Sequence, residues 1–311
     1  MKKNKKNSYI WYIVFFMLII VIIITILEVI GVTHIIDGFT ISKKVPRNIV
    51  ISKHKHLIPR NIYRTWKTKE VPEKYKKASD FTQKCNPNYT QIIYDDNDID
   101  TFLKKYYYNH PIWKNDVYKY YYKINPKLGA ARADFFRYVL LYEKGGIYLD
   151  MKSAARNLDS FVKENDTFVY SYDHFLPKII YKTLKFFQGN KYEIPNKILE
   201  QWWLATAPKN PIFKNIIDDM LQKLEQYEKK DTDTYKSCKK NIVPILHSGN
   251  VTLDILNVTG PILFTNAVER SIFKYKSREL LNDNSKYFIY DFNGDHNPGI
   301  SYRKKCESLI V

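Results

Sequence analysis

The stretch from Glu143 to Lys152 reads EKGGIYLDMK, and two of its residues are of a type that handles charge on a ligand: Asp150 and Lys152. Asp150 closes a short apolar run after the glycine pair Gly145 and Gly146, an arrangement that presents a carboxylate at the end of a strand. If that segment is extended, side chains two apart project to the same side. The two residues then form either an acid and an ammonium facing one cleft or a strand end emerging into solvent. Upstream, Asp134 and Arg137 are three apart in a helical pattern, so they share a face and can pair with each other or point together into a cleft.

The elements that must position these groups follow from the pattern around them. IPRNIYRTW reads as a strand ending at Trp66, and TQIIYDD as a second, from Thr90 to Asp96. NDIDTFLKKYY opens a helix with an Asx cap. GAARADFFRYVLLYEKGG carries apolar residues at Phe135, Phe136, Val139, Leu140 and Tyr142, a helical period that stops at the two glycines. GIYLD is the strand that follows. Strands separated by helices predict an α/β domain with a mostly parallel sheet and helices on both faces. Ligands of such sheets bind at the carboxyl ends of the strands, where Asp95, Asp96 and Asp150 fall.

IPRNIYRTWKT and ARADFFRYVLLYEKGGIYLDMK together resemble the DXD-containing glycosyltransferases, the family of the yeast initiating mannosyltransferase and related sphingolipid and galactosyl transferases, with the clostridial glucosylating toxins as distant relatives. The resemblance covers most of Ile58 to Tyr302. It implies a GT-A (Rossmann-like) fold, a nucleotide-sugar donor, a glycan or lipid acceptor, and transfer of a hexose or N-acetylhexosamine with retention of configuration. By the same resemblance Trp66 stacks on the nucleotide base, Asp134 and Arg137 hold the sugar and ribose, Tyr148 approaches the donor, and Asp150 is the first acid of DXD. Gln201–Phe213 resembles the acceptor-side segment, which makes Trp202 or Trp203 a sugar platform. Adjacent residues cannot both face one cleft in an extended segment, so one of the two belongs to the core. TGPILFT, from Thr259 to Thr265, resembles a turn near the donor. DHNPGISY resembles the terminal loop that closes over the diphosphate with a histidine and a serine, here His296 and Ser301, although Tyr302 stands where tryptophan is usual.

In the family the second acid of DXD binds a divalent ion, manganese or magnesium, that neutralises the departing diphosphate. Lys152 occupies that position. Two carboxylates and a divalent cation sum to zero, as do one carboxylate and one ammonium, so the local charge is kept without an ion. The expectation is that Lys152 pairs with Asp150 in the empty site, contacts the donor phosphates directly, and makes transfer weakly dependent on metal or independent of it. Two rivals stand beside it: a shifted metal site of Asp150 with Asp295 or His296, and a nucleotide-sugar-binding protein that no longer transfers.

The N-terminus supplies an independent indication. Lys2, Lys3, Lys5 and Lys6 precede a run without charge up to Glu28, long enough for the roughly 20 residues that span a bilayer and longer than the core of a cleaved signal. Positive flanks stay cytoplasmic. The organisation expected is therefore a cytoplasmic tail over 1–8, a signal-anchor helix over 9–31 with Tyr9, Trp11 and Tyr12 in its aromatic belt, a stem over 32–57 and a glycosyltransferase domain over 58–311. This is a single-pass type II membrane protein with its domain lumenal (Golgi or ER-like) or external. Sequons at Asn88, Asn165, Asn250 and Asn257 suit that side. The net charge of +18 is spread along the chain without a basic arm or a nucleic-acid motif, which argues against a nucleic-acid partner. Cys85, Cys238 and Cys306 lie too far apart to read as a zinc site or a disulfide framework. A structural membrane glycoprotein with a Rossmann-like domain is the remaining class, separated from the others by whether the chain binds nucleotide at all.

Overall fold

The computed structural model describes residues 56–173, 195, 197–238, 249–281, 284–292 and 309–310. In chain order its elements are β1 (Asn61–Thr65), α1 (Glu73–Cys85), β2 (Thr90–Tyr94), α2 (Asp96–Tyr107), α3 (Asp116–Lys123), α4 (Gly129–Lys144), β3 (Gly146–Leu149), β4 (Ala154–Ala155), α5 (Leu158–Phe161), β5 (Phe168–Tyr170), β6 (Trp203–Thr206), α6 (Pro211–Cys238), α7 (Gly249–Val258), α8 (Pro261–Ser271), β7 (Arg278–Glu279) and β8 (Phe288–Ile289). The predicted tail, anchor and stem lie almost wholly outside the described residues. Among the described helices, none is long and apolar enough to cross a membrane.

The main sheet has the order β2-β1-β3-β6-β5-β7, and β4 pairs with β8 in a separate ribbon. It is mostly parallel, as expected, with β6 as its one reversed strand. β1 is parallel to both β2 and β3, and β5 to β7, but β6 runs antiparallel to β3 and β5. The sequence pattern identified the parallel half correctly because a helix separates β1 from β2 and α4 leads into β3. β6 follows no such crossover signal.

Strand side chains alternate between two cores, as the period of two requires. Tyr63, Tyr148, Phe168 and Leu204 pack with α2, α3, α4, α6 and α8. Their neighbours Ile62, Ile147, Leu149, Val169, Trp203 and Ala205 pack with α5 and Phe288 on the other side. The predicted strand and helix boundaries hold to within about three residues. The Asx cap of α2 is Asp95, its carboxylate accepting from Asp98 N at 2.8 Å while the Asp98 carboxylate accepts from Asp95 N at 3.1 Å. Asp95 thereby finds a structural task.

The switch from α4 to β3 depends on the glycine pair. Gly145 and Gly146 have φ of +60° and +96°, the left-handed half of φ space that glycine enters without penalty. A Cβ at Gly145 would lie 2.5 Å from Pro208 N, and one at Gly146 2.9 Å from Asn61 O. The chain can reverse there only without side chains, and β3 then runs directly to Asp150.

Candidate active site

Asp134 and Arg137 lie one turn apart on α4, and Asp150 follows β3, so the helix and the strand it feeds deliver all three groups to one place. Arg137 Nη2 is 3.1 Å from Asp134 Oδ1 and 3.1 Å from Asp150 Oδ1. Its Nη1 donates to the Gln201 carbonyl at 2.7 Å. The guanidinium sits 4.5 Å above the centre of the Tyr148 ring, whose hydroxyl is 3.0 Å from Thr65 Oγ1. The same-face reading of Asp134 and Arg137 therefore holds, and the pair meets Asp150 as well.

The three groups differ in how they meet solvent. The Asp150 side chain is 29 % exposed and that of Asp134 12 %. Burial pushes the Asp134 carboxyl up to about 7; Arg137 opposes this, and the Asp150 charge adds to it. Burial works against the charge of Arg137, but Tyr148, Asp150 and Asp134 together outweigh it and raise its pKa. Below neutral pH the cluster is thus a neutral acid, a cation and a partly exposed carboxylate. A sugar hydroxyl would find both acceptors and a donor there.

Lys152 behaves differently from its expectation. Ser153 N donates to the Asp150 carbonyl at 2.9 Å, so the chain turns at Asp150 and the alternation that would aim residues 150 and 152 together ends. Lys152 Nζ donates instead to the Tyr290 hydroxyl at 2.7 Å, 3.9 Å from that ring's centre. Asp150 has Arg137 as its ion-pair partner, so the expected Lys152–Asp150 pair is not formed. Tyr290 also lies edge-on to Trp202, with ring centres 5.2 Å apart. The ammonium, a half-buried tryptophan and an exposed tyrosine therefore share one patch beside the acid cluster.

The remaining sequence candidates separate clearly. Trp66 follows β1 at the same sheet edge, its ring 4.9 Å from that of Tyr75. Trp203 is 1 % exposed, stacked on Phe288 at 4.3 Å with its indole N–H on Glu200; it is the core member of the tryptophan pair, and only Trp202 is accessible. Tyr148 is fully buried beneath Arg137, so its contact is with the guanidinium. Asp295, His296 and Ser301 lie outside the described residues. Sequence reasoning missed Arg64, Gln201 and Tyr290. Arg64 carried a usable signal: it shares its strand face with Ile62, which makes it a charge on a core-facing position.

Among the described residues, the two motif positions Asp150 and Lys152 do not fit the divalent ion of the family pattern. The second acid is an amine that offers no lone pair while protonated, and the first acid is engaged by Arg137. Among the described residues no three His, Cys, Asp or Glu side chains converge as ligands.

Residues 72–167 match the family model described as the glycosyltransferase sugar-binding region containing DXD motif. This stretch is similar to that region. It holds Asp134, Arg137, Tyr148, Asp150 and Lys152, with lysine at the last position of the motif. The chain is 30 % identical over 177 residues to a mannosyl phosphorylinositol ceramide synthase of Saccharomyces cerevisiae, covering 56 % of this chain and 37 % of the relative. It is 32 % identical over 113 residues to the initiation-specific alpha-1,6-mannosyltransferase of Candida albicans, covering 35 % and 28 %. The chain thus spans well under half the length of these relatives. Among solved structures the PaToxG glycosyltransferase aligns with a TM-score of 0.44 at 20 % identity, over 69 % of this chain and 70 % of that one.

Proposed function

We propose that this chain is a glycosyltransferase of the GT-A type that moves a hexose, mannose by the names of its relatives, from a nucleotide-sugar donor to a glycan or lipid acceptor with retention of configuration. The observation that carries the reading is the Asp134–Arg137–Asp150 cluster, assembled inside a sugar-binding region at the carboxyl end of β3. Arg137 donates to the sugar or ribose hydroxyls, and the two acids accept from them. Trp66, at the end of the neighbouring parallel strand, stacks on the base, and Trp202 offers an apolar face to the acceptor.

In the transfer step the bond from the anomeric carbon to the phosphate oxygen breaks, and a bond to the acceptor oxygen forms on the same face. The acceptor proton passes to the departing phosphate oxygen, so no protein base is needed. Negative charge grows on the diphosphate. Lys152 swings from Tyr290 to meet it, a motion available to a four-carbon stem, and transfer proceeds without a divalent ion. His296 and Ser301 close over the diphosphate in this reading. The charge-free run up to Glu28 within 9–31, with lysines before it, supports a type II anchor with domain 58–311 on the lumenal or external side.

The test is release of nucleotide from a panel of UDP- and GDP-sugars by the purified protein, in excess chelator and in added manganese. Release that survives chelation supports both the transferase and the role of Lys152. Release only with manganese retains the transferase and overturns that role. Binding without release from any donor favours a sugar-nucleotide-binding protein that does not transfer.

A further inference from the structure

Arg64 is completely buried in β1, directly beneath the turn that carries Asp150 and Lys152. Its guanidinium has no carboxylate at salt-bridge distance among the described residues. Nη1 donates to the carbonyls of Asp150 and Ser153, both at 2.8 Å, with the Met151 carbonyl at 3.5 Å. Nε donates to Gln91 Oε1 at 2.9 Å and Nη2 to Thr82 Oγ1 at 3.0 Å. Thr82 Oγ1 also accepts from Ala155 N at 3.1 Å. One cation and one hydroxyl therefore grip the segment from Asp150 to Ala155 at both ends. Burial lowers the Arg64 pKa to about 10 against the opposing influence of Tyr148 and Asp150, so it stays charged at neutral pH.

A buried charge held only by neutral oxygens is costly, and its arrangement has a directional effect. The described peptide bonds are all trans, and in a trans unit the carbonyl and the next N–H point opposite ways. With the Asp150 and Met151 carbonyls turned in toward Arg64, the N–H groups of Met151 and Lys152 face away from it. Neither donates to another described residue. Two adjacent outward N–H groups, backed by a fixed positive charge and flanked by the Lys152 ammonium, form a seat for an anion.

We infer that Arg64 is a positioning residue for anion binding: it holds the Asp150–Ser153 turn so that the Met151 and Lys152 N–H groups receive the diphosphate of a nucleoside diphosphate. This rests on the transferase reading above, and adds a fixed cation and a backbone site to the mobile charge of Lys152. The fork is needed because a lysine at this position would keep the charge but could not reach the turn carbonyls, Gln91 and Thr82 together.

The test is titration calorimetry of the full-length protein in detergent with UDP, GDP and their monophosphates, using wild type, Arg64→Gln, Arg64→Lys and Thr82→Val. The inference expects both Arg64 variants to lose about tenfold or more in diphosphate affinity, the scale of charge-assisted hydrogen bonds, with the monophosphates much less affected. Thr82→Val, which keeps the guanidinium but loosens one grip, should show a smaller loss of the same kind; it decides the matter if the Arg64 variants do not fold. Equal losses for mono- and diphosphate, or none, in the variants that fold would overturn the inference and leave Arg64 a stability residue. Failure of the wild type to bind any of these nucleotides would overturn the transferase reading itself.

Discussion

Replacing Asp134 by asparagine isolates the proton that the acid cluster holds. An ordinary aspartate has a pKa near 3.8, and burial raises that of Asp134 to about 7. The folded state therefore binds a proton between these values that the unfolded chain has released, and stability must fall as pH rises through the window. Each pH unit is worth about 1.4 kcal/mol, so the stability that Asp134 contributes below about pH 4 has diminished by about 4 kcal/mol above about pH 7. Between about pH 5 and pH 7 alone the loss is about 3 kcal/mol. Asparagine mimics the protonated acid and can still accept from Arg137. Denaturant unfolding of wild type and Asp134→Asn at about pH 5 and pH 8 should show the variant gaining on the wild type by about that amount at the higher pH. Donor affinity should follow, because ionising Asp134 adds a negative charge beside the anionic ligand; the wild type should weaken above about pH 7 and the variant should not. Parallel pH dependences in the two proteins would refute the protonated cluster.

Other perturbations address separate parts of the site. Lys152→Asp restores the DXD pattern beside Asp150, and nucleotide release by that variant should acquire a manganese requirement; metal-independent release at the wild-type rate would show that Lys152 does not contribute charge to the donor. Trp203→Ala empties a buried stack on Phe288 and removes the indole donor to Glu200, so it should cost about 3–5 kcal/mol of stability. Trp202→Ala, by contrast, should raise the acceptor KM while the melting temperature stays close to that of the wild type, and an unchanged KM would remove Trp202 from the acceptor side. Gly145→Ala forces a side chain into φ of +60° and against Pro208; unfolding measurements should show a loss of about 3 kcal/mol or more.

The parts of this site visible in the sequence were those governed by local periodicity. Three-residue spacing put Asp134 and Arg137 on one helix face, and the double glycine marked where α4 had to end and β3 begin. Adjacent tryptophans in an extended segment had to divide between core and cleft, although which was which depended on Phe288, more than eighty residues away. Long-range pairing hid the rest. Arg137 reaches the Gln201 carbonyl and Lys152 reaches Tyr290 only because β6 and the β8 ribbon fold back beside β3, and the antiparallel entry of β6 leaves no crossover signal. The pairing expected between Asp150 and Lys152 failed for a local reason: strand alternation was carried past Leu149 to Lys152, across a turn whose inward carbonyls answer to Arg64. A charged residue on the core-facing side of a strand was the one long-range clue available, and it pointed to the residue beneath the motif.

The most direct test of the central claim is transfer itself. The purified protein is supplied with nucleotide sugars carrying an isotopic label in the sugar, together with glycan and inositol-containing lipid acceptors, and the product is examined for label and for anomeric configuration by NMR. Labelled product is expected from at least one donor, formed in chelator with the anomeric configuration of the donor preserved, and its formation is expected to be lost with Asp150→Asn. A nucleotide that binds tightly while no acceptor gains label under any metal condition would contradict it.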